Sequence, residues 1–331
     1  MTTSGVRMPP TLDIVVPCYN EEACFGQLVE ALSALSEELV RSGRIADPAR
    51  LILVDDGSSD RTWELIETAA ETASNDKLIK IKGIKLSRNH GHQRALFAGL
   101  MSADAEAVVS LDADLQDDIG AVMQMIDAYR AGAEIVFGVR ASRATDTSFK
   151  RLSARAYYWI LGVVDVDVVS DHADFRLMSR KALAALREHP EVNLFLRGLV
   201  RSLGFSSATV TYDRAERVAG KSKYPLGKMI SLAVEGITSF STKPLRYVTW
   251  LGFIIALFSV LYILWAVLAR LLGITVSGWA SIVSSIYLLG GVQLFALGVF
   301  GEYLGRIYIE TKRRPQFLID HVVQSDGNEK E

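Results

Sequence analysis

The sequence predicts an α/β fold with a mainly parallel sheet, followed by two helices that cross a membrane. Strand-like apolar runs alternate with helical segments over roughly the first 140 residues, a pattern typical of right-handed βαβ units. Farther along, two runs of 22 residues carry no charge, at 248–269 and 280–301. Half of the residues are apolar and the net charge is only −2, which excludes a disordered chain and a globally basic nucleic-acid binder.

The apolar spacing predicts five strands and four helices in alternating order. The strands fall at 12–17, 51–56, 78–86, 105–114 and 133–140. The helices fall at 21–42, 61–74, 91–100 and 119–129. Asn20 and Asp60 precede the first two helices as candidate N-terminal caps. Cys18 and Cys24 are too few for a disulfide framework and are expected to be free thiols.

Polar motifs follow the predicted strands at their carboxyl ends, where open α/β sheets bind ligands. The motif PCYNEE follows the first strand, DDGS the second and DADLQ the fourth, and Arg140 ends the fifth. The glycine-rich fingerprints of dinucleotide-binding folds and of phosphate loops are both missing from these turns. The ligand is therefore expected to be held mainly by carboxylates.

The carboxylates of the fourth turn predict a divalent metal. Asp112 and Asp114 are two positions apart on an extended segment, so both point to one face, and Gln116 adds an amide oxygen there. Such a cluster repels itself unless a cation lies among the oxygens, and hard oxygen ligands suit Mg²⁺ or Mn²⁺. A merely solvated strand end is the alternative, but Asp55 and Arg140 on neighbouring strand ends favour a site.

The charges that flank the two uncharged runs predict a hairpin through the membrane. Each run is long enough, as a helix, for a hydrocarbon core of about 30 Å. Lys243 and Arg246 precede the first run and basic residues follow the second, whereas the connection holds only Arg270. The positive-inside rule then places both long flanks in the cytoplasm. The N-terminal residues contain no apolar signal segment, which agrees with a cytoplasmic first half.

Two amphipathic segments are candidates for a membrane surface. The first lies just before the uncharged runs, and its apolar residues recur at helical spacing beside Lys223 and Lys228. Its stripe consists of Leu226, Met229, Ile230, Ala233, Val234 and Ile237. The second lies at 149–163. A helix packed in a protein core remains the alternative for both segments.

Taken in order, the motifs carry a resemblance to a known family. PCYNEE, VDDGSSDRT, SRNHGHQRA, DADLQD, DFRLMSR and RVAGKSKYPLGKM resemble the family 2 glycosyltransferases of GT-A fold. The RxxGxSKY motif followed by two apolar runs is similar to the polyprenyl-phosphate branch, which includes bactoprenol glucosyltransferases and dolichol-phosphate mannosyltransferase. The resemblance covers about residues 11–315.

The resemblance implies a division into four segments. A cytoplasmic GT-A, Rossmann-like catalytic domain occupies 1–222, and a juxtamembrane interfacial helix occupies 223–246. Two transmembrane helices fall within 247–310, and a cytoplasmic basic and polar tail covers 311–331. The expected location is the inner cell membrane, as a multi-pass protein with both termini in the cytoplasm.

The resemblance also implies roles for individual residues. Asp114 and Gln116 would hold the metal, and Asp174 would face the sugar and the acceptor. Arg217 and Lys223 would bind the acceptor phosphate, with Arg176 and Arg197 next in line. Asp112, Asp174, Arg217 and Lys223 would carry catalysis. The nucleotide-sugar would contact Pro17, Tyr19, Glu21, Leu53, Asp55, Asp112, Ala113, Asp114 and Arg140.

Three histidines in these motifs receive no functional role. His90 and His92 flank a single glycine and lack a third ligand, so a metal site there is not favoured. His172, which lies just before the DFR motif, is expected to be a helix cap or a core histidine.

The activity implied is transfer of a hexose, with glucose favoured, from a UDP-sugar to polyprenyl (undecaprenyl) phosphate. The donor's configuration would be inverted to give a β-linked lipid-phosphate sugar for modification of the cell envelope. Mg²⁺ or Mn²⁺, the lipid bilayer and further copies of the chain would take part, in a homo-oligomer such as a tetramer packed through Gly290, Gly291 and Gly298. No nucleic acid partner is expected.

Two other functions remain open. The first is a processive polysaccharide synthase, although no tryptophan here lies in a QxxRW motif. The second is a non-catalytic membrane scaffold subunit, which the intact acidic and basic motifs disfavour.

Overall fold

The computed structural model describes residues 7–73, 79–140, 172–189, 196–212, 243–272 and 278–325. The chain forms two compact units. Unit 1 comprises Met1–Tyr158, Asp167–Pro225 and Pro315–Glu331. Unit 2 comprises Trp159–Val166 and Leu226–Arg314.

Unit 1 is built on a mixed eight-stranded sheet. Its strands are β1 (Leu12–Cys18), β2 (Arg50–Asp55), β3 (Lys80–Leu86), β4 (Ala107–Ser110), β5 (Ile135–Arg140), β6 (His172–Ser179), β7 (Ser207–Tyr212) and β8 (Ile319–Gln324). They lie in the order β7-β5-β6-β4-β1-β2-β3-β8. The central strands β4, β1, β2 and β3 are parallel, as the βαβ pattern predicts, whereas β6 and β8 run antiparallel to their neighbours.

The helices of unit 1 connect these strands. They are α1 (Phe25–Arg41), α2 (Thr62–Ala73), α3 (His92–Met101), α4 (Ala121–Arg130), α5 (Arg180–Arg187) and α6 (Leu196–Ser202). Asp60 accepts hydrogen bonds from the backbone and the hydroxyl of Thr62, as expected for a residue that caps α2. Helix α3 packs directly on the sheet at Gly99, where an added Cβ would come within 2.3 Å of Val15.

The buried residues of unit 1 follow the apolar spacing from which its strands and helices are predicted. Every residue of β1 is buried, including Ile14 and Val16 on one face and Val15 on the other, because helices cover both faces of the sheet. Helix α1 buries Leu28, Leu32 and other residues at helical spacing. The α/β class and the first nine predicted elements are therefore confirmed, with shifts of a few residues at their ends.

Strand β8 differs from the expectation of a polar tail at 311–331. Ile319–Gln324 instead pairs antiparallel with β3 at the edge of the sheet. Ser325 continues the attachment, since its backbone donates to Ile81 and its hydroxyl accepts from Ile81. The strand is short and mostly exposed, so its composition resembles that of a tail.

Unit 2 contains two long helices, α7 (Lys243–Leu271) and α8 (Trp279–Thr311). Each contains a candidate membrane span, at Lys243–Tyr262 and Leu288–Thr311, and neither span is buried inside the protein. Large apolar side chains such as Trp250, Phe258 and Leu294 are exposed along them. Two apolar helices thus follow the first seven strands, as predicted, while the amphipathic segments at 149–163 and 226–237 lie outside the described residues.

Candidate active site

A polar pocket of about 290 Å³ opens at the carboxyl edge of the sheet. The turns after β1, β3 and β4, the start of β6 and helix α6 supply its walls. The lining residues are Pro17, Glu21, His92, Asp112, Ala113, Asp114, Asp174 and Arg197. Seven of these eight were predicted from the motifs, and they come from distant parts of the chain.

The turn after β1 is fastened to the turn after β2. Asn20 adopts a left-handed conformation with φ of 55°, and its side-chain oxygen accepts from the backbone of Ser59 at 2.8 Å. The backbone of Glu21 donates to the hydroxyl of Thr62 at 2.9 Å. These contacts bring the PCYNEE and DDGSSD motifs together, so that one wall of the pocket is fixed before any ligand binds.

Asp55, the last residue of β2, is fully buried and is not among the residues that line the pocket. One of its oxygens accepts from the backbone of Ser58 at 3.2 Å, and the other has no hydrogen-bond partner among the described residues. Burial raises the pKa of Asp55, and the hydrogen bond from Ser58 opposes that shift only in part. An unsatisfied buried carboxylate is costly, and it is therefore well suited to accept a hydrogen bond from a ligand. Leu53, beside it in the same strand, is also fully buried, whereas Tyr19 is 47% exposed.

The turn after β4 carries Asp112, Asp114 and Gln116. Strand β4 ends at Ser110, earlier than predicted, and the chain then turns through Leu115 with a left-handed φ of 50°. That conformation is strained for a bulky residue, and strain of this kind concentrates at functional sites. The backbone of Gln116 donates to Asp114 at 3.2 Å, which closes the turn.

Antiparallel pairing brings Asp174 beside this turn. Arg176 in β6 is opposite Ser110 in β4, so the two preceding residues of β6 run alongside the chain that follows β4. The hydroxyl of Ser110 donates to the backbone oxygen of Asp174 at 2.6 Å. Asp112 and Asp174 thereby reach the same pocket, although the sequence separates them widely.

Three cationic groups surround the Asp174 carboxylate. Arg176 donates to one oxygen at 2.7 Å, and Arg197 lies at 3.4 Å from both. His92 Nε2 lies 3.3 Å from Asp174 and 3.4 Å from Asp112, so it bridges the two acids. Sequence reasoning assigned no role to His92. The signal available was its position at the start of the helix that follows the third parallel strand, on the edge that carries the other motifs.

The two acids of this pair have opposite pKa shifts. Burial, together with the negative charge of Asp174, raises the pKa of Asp112 to about 6, although the charge of His92 opposes the shift. Burial would also raise the pKa of Asp174, but His92, Arg197 and Arg176 together hold it far below its ordinary value. The same two carboxylates raise the pKa of His92, although partial desolvation of the ring opposes the shift. Asp174 is therefore an ionised group whose charge is already neutralised, which is a poor arrangement for a proton acceptor.

Two carboxylates of the β4 turn, those of Asp112 and Asp114, line the pocket and fit a divalent metal, whereas Gln116 is 2% exposed and is not among the lining residues. Asp112 Oδ1 accepts no hydrogen bond from the described residues, and the carboxylate of Asp114 lines the same pocket. No three His, Cys, Asp or Glu side chains among the described residues form a metal site by themselves. Mg²⁺ commonly takes one or two carboxylates from the protein and its remaining ligands from water and substrate phosphates, so a small donor set is suitable.

The remaining basic residues that the resemblance implies are not among the described residues that line the pocket. Arg176 is fully buried against Asp174, and its second contact, at 3.3 Å, is the backbone oxygen of Leu196. A fully buried guanidinium in these contacts is not open to a lipid phosphate, so its burial does not favour the acceptor role. Arg140 ends β5, where only its backbone is described. Arg217 and Lys223 lie outside the described residues.

Comparison with known proteins identifies the family. The family model described as glycosyl transferase family 2 matches residues 13–187. The uncharacterized glycosyltransferase YkoT of Bacillus subtilis is 49% identical over 313 residues, which cover 94% of this chain and 91% of the relative. The bactoprenol glucosyl transferase of Shigella phage SfV is 40% identical over 317 residues, covering 95% and 99%.

A more distant likeness exists among solved structures. The mannosyltransferase PcManGT from Pyrobaculum calidifontis, solved in complex with GDP-Man and Mn²⁺, has a TM-score of 0.43 and 16% identity, covering 92% of this chain and 87% of that one. The assignment follows from the sequence relatives and the family model. They define the protein as a sugar-transferring enzyme with a GT-A fold. The chain belongs to glycosyl transferase family 2.

Proposed function

We propose that the protein transfers glucose from UDP-glucose to polyprenyl phosphate at the cytoplasmic face of the membrane. The main observation in support is its 40% identity to bactoprenol glucosyl transferases along nearly the whole chain, including the two apolar helices. The acidic pocket supplies oxygen ligands for a metal bound to a diphosphate. The product would be a β-linked lipid-phosphate sugar for the cell envelope.

The donor half of the reaction uses the β4 turn. Asp114 and Gln116 would hold a divalent metal, which when bound stabilises negative charge on the leaving diphosphate. Asp55 would accept a hydrogen bond from the nucleobase through its unsatisfied oxygen. Pro17, Tyr19, Glu21 and Arg140 would complete the nucleotide-sugar site.

The acceptor half needs cations more than a base. A phosphomonoester has its second pKa near 6, so its oxygen is already an anion at neutral pH. That oxygen would attack the anomeric carbon while the bond to the diphosphate breaks, which inverts the configuration. Arg197 lines the pocket and would contribute its positive charge, and Arg217 and Lys223 are proposed to join it. Asp174 would orient Arg197 and His92 without accepting a proton.

Strand β8 supports a hairpin topology. The chain leaves unit 1, forms α7 and α8, and returns to pair with β3 in the same sheet. If α7 crosses the membrane, α8 must cross back. We therefore place both long flanks in the cytoplasm. Labelling of a Ser277→Cys variant from outside intact cells tests this placement, and labelling only after permeabilisation would contradict it.

Mass spectrometry of the lipid product tests the proposed reaction. The purified full-length protein is incubated with undecaprenyl phosphate and a panel of UDP- and GDP-sugars, with and without a chelator. We expect a lipid-phosphate hexose from UDP-glucose that disappears when the metal is removed. A product from a different sugar would overturn the donor assignment. A product that forms equally well with chelator would overturn the metal assignment.

Two variants test the acceptor half in the same assay. Loss of a charged hydrogen-bond partner of a phosphate costs about 1.5–3 kcal/mol, or roughly 10- to 150-fold. Arg217→Ala and Lys223→Ala should each reduce transfer by this factor and weaken UDP binding less. Wild-type rates in both variants would move the acceptor site elsewhere, with Arg197 the next candidate.

Complete inactivity would favour the non-catalytic scaffold. A chain of alternating or repeated sugars on the product would favour a processive synthase. The unsatisfied oxygen of Asp55 argues against the scaffold, because a buried polar atom without a hydrogen-bond partner is rare unless it serves a function.

A further inference from the structure

A buried hydrogen bond joins the β4 turn to the end of strand β7. The hydroxyl of Tyr212 donates to Asp117 Oδ1 at 2.6 Å, and the two residues are only 3% and 6% exposed. Tyr212 is the last residue of β7. Asp117 is the residue after Gln116, at the end of the DADLQD motif. No role was assigned to either residue from the sequence.

The β4 turn needs an external support because its own backbone is strained. Leu115 holds a left-handed conformation, which persists only where the surroundings impose it. The hydrogen bond from Gln116 to Asp114 lies within the turn and cannot fix its position relative to the sheet. The hydrogen bond from Tyr212 comes from β7, a strand of the sheet itself. It can therefore fix the position of the turn relative to the sheet.

Ring packing locks the hydroxyl in place. The ring of Tyr212 meets Phe175 edge-on, with centroids 5.3 Å apart. Phe175 is fully buried and is adjacent in the chain to Asp174. The tyrosine therefore has little freedom to swing away from Asp117, and a short hydrogen bond to a carboxylate is among the stronger kinds.

We propose that Tyr212 is a positioning residue for sugar transfer, whose hydrogen bond to Asp117 holds the β4 turn, and with it Asp114, in place for the metal. The inference rests on the proposed function. It assigns Tyr212 no contact with the substrate.

The Tyr212→Phe variant isolates the hydroxyl, because it keeps the ring against Phe175. Mn²⁺ binding to the full-length protein, alone and with UDP, is measured by titration calorimetry, and thermal unfolding is measured without ligands. Loss of a partner that supports metal ligands typically weakens metal affinity by about 10- to 100-fold. We expect a loss of this size for Mn²⁺ with UDP, and a matching rise in the Mn²⁺ concentration that half-saturates transfer.

Two further variants serve as controls. Tyr129→Phe removes the hydroxyl of another buried tyrosine, far from the pocket lining, and should leave Mn²⁺ affinity unchanged. Asp117→Asn keeps a side-chain oxygen that can accept from Tyr212, so it should weaken the metal less than Asp117→Ala does. Tyr212→Phe combined with Asp117→Ala should be no worse than Asp117→Ala alone, because both remove the same bond.

The outcomes separate this inference from the proposed function. If Tyr212→Phe lowers only the unfolding temperature, with Mn²⁺ affinity and saturation as in the wild type, the contact is structural and the inference fails. If the wild type binds Mn²⁺ with UDP but transfers no sugar, the proposed function fails, and the binding data still decide the role of Tyr212. Absence of Mn²⁺ binding by the wild type, with and without UDP, would overturn the inference, whereas a lipid-phosphate product in the transfer assay would still support the proposed function.

Discussion

The two edges of the sheet in unit 1 each contain buried acids, but only one edge leaves them unsatisfied. At the amino edge, Asp13 is 2% exposed and receives hydrogen bonds from Arg50 at 2.9 and 2.6 Å. The backbones of Asp104 and Ala105 donate to it at 3.0 and 3.1 Å. Both of its oxygens therefore have partners. At the carboxyl edge, Asp55 is fully buried and keeps one oxygen without a hydrogen bond from the described residues, and Asp112, whose side chain is 34% exposed, keeps one that His92 only approaches, at 3.4 Å.

The difference indicates which acids stabilise the fold and which serve a ligand. Hydrogen bonds offset the desolvation free energy of a satisfied buried carboxylate. An unsatisfied buried oxygen keeps that penalty, so it destabilises the ligand-free protein. Asp174 serves both the fold and the pocket. Arg176 and Arg197 pair with its carboxylate, and the same side chain lines the pocket. Substitutions at the two edges should therefore separate activity from stability.

The largest expected effect is the loss of transfer in Asp114→Ala. A removed metal ligand leaves the leaving diphosphate without its main charge stabilisation, and we expect at least about a 10³-fold loss, near 4 kcal/mol. The unfolding temperature should remain close to that of the wild type, because Asp114 is at a turn outside the core. Normal transfer at ordinary metal concentrations would contradict the metal assignment.

Asp174→Asn should affect both stability and transfer. Arg176 is fully buried, and removal of its partner charge typically costs about 3–5 kcal/mol of unfolding free energy. Because the pKa of Asp174 is lowered in the folded protein, its contribution is fully present above the unfolded value near 4 and is lost as the pH falls below it. Asp174 also raises the pKa of His92, so protonation of His92 should widen the stability gap between wild type and variant as the pH falls from 7 to about 5.

Chemical denaturation of both proteins over this range measures the gap. Asp127→Asn is the matched control, because it breaks the exposed pair with Arg44 and should cost under about 1 kcal/mol. A gap no larger than that of the control would show that Arg176 does not need the charge of Asp174.

Asp13→Asn should reduce stability and leave transfer by the folded protein unchanged. Arg50 keeps a second acidic partner in Asp104 and is partly exposed, so the cost should be about 1–3 kcal/mol, less than at Asp174. Denaturation and initial rates at low temperature measure the two effects separately. A specific loss of kcat would mean that the amino edge also contributes to activity.

The smallest expected effect is that of His92→Gln. The imidazole is 46% exposed and only approaches its two acids, at 3.3 and 3.4 Å, so solvent weakens the bridge. We expect about a 10-fold loss of transfer, equivalent to 1.4 kcal/mol, with little change in unfolding temperature. A rate of transfer equal to that of the wild type would show that His92 lines the pocket without contributing to activity. Arg94→Gln, on the same helix but outside the pocket lining, is the control.

The sequence predicts those features of the fold and site that depend on local pattern. Strands β1 to β5 follow from runs of apolar residues, and Asp112 and Asp114 follow from their spacing at a strand end. Strand β8 could not be predicted, because Ile319–Gln324 is short, mostly exposed and stabilised by backbone pairing with a distant strand. His92 was missed for a related reason. Its relevance depends on β6 running antiparallel beside β4, which no local pattern reveals.

The pairing of β8 with β3 has a consequence for how the protein is made. Ile81 and Ser325 are 244 positions apart, and both apolar helices lie between them. On the ribosome, β3 emerges long before its edge partner, so it remains an unpaired edge while α7 and α8 are synthesised. Open edges can pair with other chains, and a long strand is a better template for such pairing than a short one. The edge of β3 is covered only by residues that follow both helices, so a chain that stops before β8 keeps an edge that chaperones and proteases can recognise.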